Sequence, residues 1–241
     1  VFWTGYAGYE IRKWLRDAMS VFMLSYFMLM AAVGRWLVPA LERQLGMGLD
    51  PYYHAILAAL MLLVARINGS VAGFSILDDR DDNILLAVKV APMSLEQFIG
   101  LKLGLTYIIS LLGGVFVLWF SDLVPLRAGV LWGIPALSAI AAPITAMLIN
   151  CVASNKIEGF AALKGFNGLI IFPIVALFVA GLTEFVFAVE PGFWPAKALS
   201  IAVTGGHGAS YQLGYAAYMW IGWAYGIVAN LAVYQLFKRR V

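Results

Sequence analysis

Six apolar runs, near residues 21–38, 54–77, 98–120, 129–152, 168–189 and 213–237, leave this chain little choice of solvent. Each is about 18 or more residues long, the length a helix needs to cross the hydrocarbon core of a bilayer. Composition agrees: 63% of the 241 residues are hydrophobic and 12% are charged, against roughly a quarter charged in soluble globular chains. No soluble domain fits between the runs. Residues 1–241 therefore read as a single all-α integral membrane domain of six transmembrane helices.

Ahead of the first run, "YEIRKWLRDAMS" puts Ile11, Trp14, Leu15 and Ala18 on one helical face, with Glu10, Arg12, Lys13, Arg16 and Asp17 around the rest. That pattern, over about 8–19, predicts an amphipathic helix lying in the interface plane. The other reading is a cytoplasmic extension of the first span. With six spans both ends share a side. Placing them in the cytoplasm gives that side eleven Lys and Arg, against Arg35, Arg43, Arg127 and Lys197 outside, the asymmetry expected of cytoplasmic loops. Both termini are therefore expected in the cytoplasm; the expected location is a bacterial-type inner membrane.

The stretch "SILDDRDDNILLAVKVAPMSLEQF" (75–98) breaks the apolar pattern. Carboxylates at the bilayer centre would each cost about 3 kcal/mol, so the cluster Asp78–Asp82 must end the second span and stand in water. Ile84 to Val90 then make a short apolar element, and Pro92 breaks it. Ser94, with Gln97 three residues on, has the spacing of a capping box that starts the third span. A solvated connector without a partner accounts for the same residues.

The stretch resembles the cytoplasmic loop of ABC-2 type transporter permeases, in which an acidic-basic-acidic triplet precedes an apolar segment and a Thr/Ala-Pro-x-Ser turn. Asp79-Arg80-Asp81 falls on the triplet and Ala91-Pro92-Met93-Ser94 on the turn. Asn83-Ile84 stands where the family usually has Gly-Thr. The interfacial helix, the six spans and the long "EPGFWPAKALSIAVTGG" segment before the last span suit the same family, and within it the drug- or fluoroquinolone-export members. The resemblance implies a coupling helix between spans two and three that rests on a separate ATP-binding subunit and passes its closure to the spans. Asp79, Arg80, Asp81, Asp82, Leu85, Pro92 and Ser94 would then form the ATPase contact, with Glu158 in the next cytoplasmic loop. The resemblance also implies a second permease copy, or a related permease, to close the pathway. ATP and magnesium would be bound by the partner.

No G-x-x-x-x-G-K-[ST] occurs, so this chain has no P-loop of its own. Neither catalytic residues nor a metal site are expected: one cysteine, Cys151, and two histidines, His54 and His207, give no cluster of ligands. Nucleic acid is not expected among the partners. Arg66 and Asn68, in "LLVARINGSVAGF", are ionisable or polar groups inside a span and so candidates for the translocation pathway. Arg66 would either meet an anionic group of the substrate or hold the second span to a neighbour. An ion- or proton-driven carrier is the alternative function, and Glu184, near the outer end of span five, is its one contender for a deep carboxylate. Solvation at the boundary is the simpler reading of Glu184. Glycine pairs four apart (69/73, 100/104, 129/133, 222/226) can bring helices close, but in a glycine-rich chain about half would arise by chance.

Overall fold

The computed structural model describes residues 2–46, 48–84, 88, 94–206 and 211–240, with side chains from residue 8 onward. The described residues are helical or connecting, without strands. Helix α1 (Phe2–Arg16) precedes six spans: α2 (Ala18–Leu45), α3 (Asp50–Asp81), α4 (Leu95–Ser121), α5 (Ala128–Val152), α6 (Lys156–Ala176) and, at the end, α8 (Tyr215–Lys238). Between α6 and α8 come a 3-10 helix at Leu182–Val189 and the short α7 (Phe193–Thr204).

Local chemistry sets the element ends. Asp17 caps α2 by accepting from the Ser20 amide at 3.1 Å and the Ser20 hydroxyl at 2.6 Å. That hydrogen bond, with Lys156 nearby, holds the Asp17 carboxyl below its ordinary range. Gly46 ends α2 in the left-handed conformation, φ +62°, open to glycine without penalty. Ser94 and Gln97 form the expected capping box, Gln97 N donating to Ser94 Oγ at 3.2 Å and Ser94 N to Gln97 Oε1 at 3.1 Å. Asn155 and Glu158 start α6 in the same way: Glu158 N donates to Asn155 Oδ1 at 3.0 Å and Ser154 N to Glu158 Oε2 at 2.8 Å.

Helices α3 and α5 are the core of the bundle. In each, 78% of the apolar window is buried, against 17% in α8. They cross in direct contact at Gly69, where a Cβ would lie 2.3 Å from the carbonyl oxygen of Ala142, so only a residue without a side chain fits. Asn150 ties the crossing, donating to Gly73 O at 2.9 Å. Gly222, on α8, is pressed against Trp194 in the same manner, with a Cβ only 2.6 Å from Trp194 Cβ. Two of the four glycine pairs therefore mark close crossings, while Gly100 and Gly104 border open space.

The fifth span departs from the sequence expectation. It runs over Lys156–Ala176 rather than 168–189, because the Asn155–Glu158 cap starts a helix in what read as a charged loop. The apolar residues after Ala176 do not continue it. The 3-10 helix descends into the bundle and turns at Glu190–Gly192, and α7 runs back. Gly192 packs on Leu62 of α3 and Glu190 pairs with Arg66, which lies about 22 Å by helix rise from the Asp81 end of α3. The turn thus sits at mid-depth. Phe193 to Ser200 are all buried, packed among α3, α5 and α8. Residues 182–204 are a re-entrant hairpin, and Trp194 lies in the core.

Candidate functional site

Both chain ends meet one face of the bundle, where α1 packs on the end of α3 and the start of α4, and Lys238 pairs with Glu96. A buried charge network lies beneath that face. Lys102 of α4, fully enclosed, donates to Asp79 and to Ser75 Oγ (2.9 Å) and pairs with Glu10 of α1 at 2.8 Å. Lys13 of α1 pairs with the other oxygen of Asp79, and Ser75 Oγ donates to Glu10 at 2.8 Å. Burial alone would lower the Lys13 ammonium, but the hydrogen bond and charge of Asp79, with Glu10 and Asp78 behind, hold it above its ordinary value. Two carboxylates and two ammonium groups neutralise one another. Centrally buried charges persist only when paired and hydrogen-bonded in this way.

This corrects the reading of the acidic cluster as a group held out in water. Asp79 is only 2% exposed and faces inward. Asp78 is half-buried and accepts from Lys156 of α6 at 3.0 Å. Arg80 is half-buried too, its Nε and Nη2 without a hydrogen-bond partner among the described residues. Only Asp81 and Asp82 of the five stand exposed at the tip. Ser94 and Glu158 are exposed as well, but each is spent on a helix cap. Leu85 and Pro92, like His207, lie outside the described residues. Of the apolar element between them, Val88 is buried against Ile76, Phe98 and Phe237. Lys102 and Glu10 carried no signal as members of a site; the clue available was a lysine seven residues into an apolar span.

At mid-depth Arg66 and Glu190 form a second buried cluster. The Arg66 guanidinium donates to a Glu190 oxygen and, at 3.0 Å, to the carbonyl of Phe166 on α6. The other Glu190 oxygen accepts from Gly192 N at 2.7 Å. Both residues line a pocket of about 200 Å3 with Thr145, Phe166, Leu169 and Phe172. Asn68 is not brought to it. Two residues on, it lies about 200° round α3, 2% exposed, its amide unpartnered among the described residues.

Towards the face opposite the chain ends, Glu184 is not solvated at a boundary but fully buried. Lys197 donates to it at 2.5 Å and the Tyr218 hydroxyl donates to its other oxygen. Lys197 is accordingly no loop residue, which its apolar neighbours Ala196 and Ala198 foreshadow. The trio fastens the 3-10 helix to α7 and α8. A separate groove of about 560 Å3 runs between α4, α5 and α8, lined by Gly100, Gly104, Tyr107, Met147, Trp223 and Asn230 among others. The described residues hold no group of three or more potential metal ligands.

Six helices long and apolar enough to cross a bilayer, around buried and mutually neutralised charges, define a multi-pass membrane protein. Comparison with known proteins places it more narrowly. Residues 10–234 match the model of the family described as fluoroquinolones export permease protein Rv2686c-like. The chain is 30% identical over 238 residues, 95% of its own length and 90% of theirs, to two proteins of Mycobacterium tuberculosis. They are fluoroquinolones export permease protein Rv2686c (strain H37Rv) and fluoroquinolones export permease protein MT2760 (strain CDC 1551). The chain belongs to this Rv2686c-like permease family. No solved structure matches it.

Proposed function

We propose that this chain is the membrane-spanning permease subunit of an ATP-driven ABC-2 type exporter, working with a separate ATP-binding subunit that holds ATP and magnesium. A second copy or a related permease completes the pathway. The chain ends face the cytoplasm of a bacterial-type inner membrane, as the Lys and Arg bias suggests. Flat, amphipathic drugs of the fluoroquinolone kind are the substrates, as the names of its relatives suggest.

The observation that carries this reading is the division of labour within the acidic cluster. Asp79 is locked to Lys13 of α1 and Lys102 of α4, whereas Asp81 and Asp82, two and three residues further, point their charge outwards. Force applied at the exposed pair thus enters three elements at once, the interfacial helix and spans two and three. Such rigid linkage suits transmission of a rigid-body motion. An ion-driven carrier is the weaker alternative: Glu184, the carboxylate it needs, is already neutralised by Lys197.

The test is Asp81→Asn with Asp82→Asn, in cells that carry the partner ATPase. Membrane insertion and folding persist, while drug export and co-purification of the ATPase fall by tenfold or more. Normal export by this variant would rule out the coupling role. Export that survives deletion of every candidate ATPase gene but collapses with Glu184→Gln would favour the carrier.

A further inference from the structure

We propose that the Arg66–Glu190 pocket is a binding site for a flat aromatic zwitterion. The ligand's carboxylate lies on the Arg66 guanidinium, its ammonium beside Glu190, and its rings against Phe166 and Phe172. The class of ligand rests on the exporter reading above; the site itself rests on geometry. An arginine and a glutamate at mid-depth, 7% and 5% exposed, are costly unless they serve a bundle interior or a cavity. Here they border a cavity of about 200 Å3. Its walls are aromatic and aliphatic, and Phe172 is braced edge-on by Phe187 at 5.9 Å.

The chemistry of exchange is favourable. With the pocket empty, the two charges neutralise each other. A zwitterion brings one charge of each sign, so one ion pair opens and two form, and no charge is left uncompensated. A simple anion or cation would strand Glu190 or Arg66, and that selects against singly charged ligands. Arg66 carries five N–H donors, and the Phe166 carbonyl and Glu190 engage one nitrogen each. The Phe166 bond fixes the plane of the guanidinium, and the Gly192 amide holds one oxygen of Glu190. Both partners are positioned before a ligand arrives. The volume suits a two-ring core, with substituents leaving past Val189 and Leu169, which are exposed at the mouth.

The experiment measures binding of ciprofloxacin, through its own fluorescence, to the full chain in nanodiscs. Its decarboxylated analogue and its N-acetylated analogue, which lacks the basic amine, are measured beside it. Removing the ligand carboxylate or making Arg66→Gln each weakens binding by about tenfold or more, the worth of a charge-assisted contact, and together they cost no more than one alone. The N-acetylated analogue and Glu190→Gln behave likewise. Losses that multiply independently would overturn the site. Because either variant risks misfolding, Leu169→Trp plugs the mouth without touching the charges. It weakens binding about tenfold at an unchanged unfolding temperature, and unchanged affinity would equally overturn the site. Wild-type binding without these couplings refutes the site alone. No wild-type binding of ciprofloxacin refutes the substrate class as well.

Discussion

The charge network under the chain ends and the Arg66–Glu190 pair at mid-depth are built from the same kinds of group and differ in what lies beside them. In the first, four charges saturate one another, and Lys102 has no exposed surface at all. In the second, two charges meet at the edge of a void. Saturated charge fixes the relative placement of α1, α3 and α4 and has nothing left to offer a ligand. Charge at the edge of a void can change partners. Burial of an ionisable residue in a membrane protein is therefore not by itself a sign of transport; the adjoining space decides.

If the contrast is right, the network is the more fragile of the two. Lys102→Met leaves Asp79 and Glu10 to share Lys13, and breaking a buried pair in this way costs about 3–5 kcal/mol. Denaturant unfolding of the chain in micelles reads that loss, and a loss under 1 kcal/mol would erase the distinction. Glu190→Gln alone strands Arg66, with a loss of similar order or smaller, since the guanidinium keeps the Phe166 carbonyl. The double variant Arg66→Met with Glu190→Met returns to within about 1 kcal/mol of the wild type, as apolar replacement of a whole buried pair often does. Ciprofloxacin binding stays lost in that double variant. Recovered binding would show that the pair serves packing only.

The smallest effect is expected at the surface, where α1 hands over to α2. Asp17→Ala removes the cap and costs about 1 kcal/mol. Because the folded-state Asp17 pKa is depressed below 3.8, the carboxylate's stabilising effect is complete above that value and fades as pH falls through the lower folded value. The unfolding difference between wild type and Asp17→Ala should therefore shrink in acid. A difference independent of pH down to 2 would show that the charge is not involved.

Spans one to four and six were legible because a bilayer demands long apolar helices and little else is long and apolar. The Ser94–Gln97 start of α4 was legible because capping is local chemistry. Three things were not. Lys156 and Glu158 made the start of α6 look like a loop, although they occupy its first turn. Lys197 made α7 look like a connector, because the sequence does not announce that Glu184 lies 2.5 Å away. Asp79 looked solvated among four ionisable neighbours, since its two lysines come from positions 13 and 102. The first miss is a local cap hidden by its charges; the other two are charges whose partners are remote in sequence, and the fold supplies the partner.

The hairpin formed by the 3-10 helix and α7 enters and leaves on the side away from the chain ends. Its backbone therefore reaches mid-depth and returns without crossing the full thickness of the lipid. Besides its buried apolar face, the polar contacts that hold it include those to Arg66, to Tyr218 and to the Tyr225 hydroxyl, which donates to the carbonyl of Val189. The deepest of these is the one a zwitterion arriving beside it would loosen.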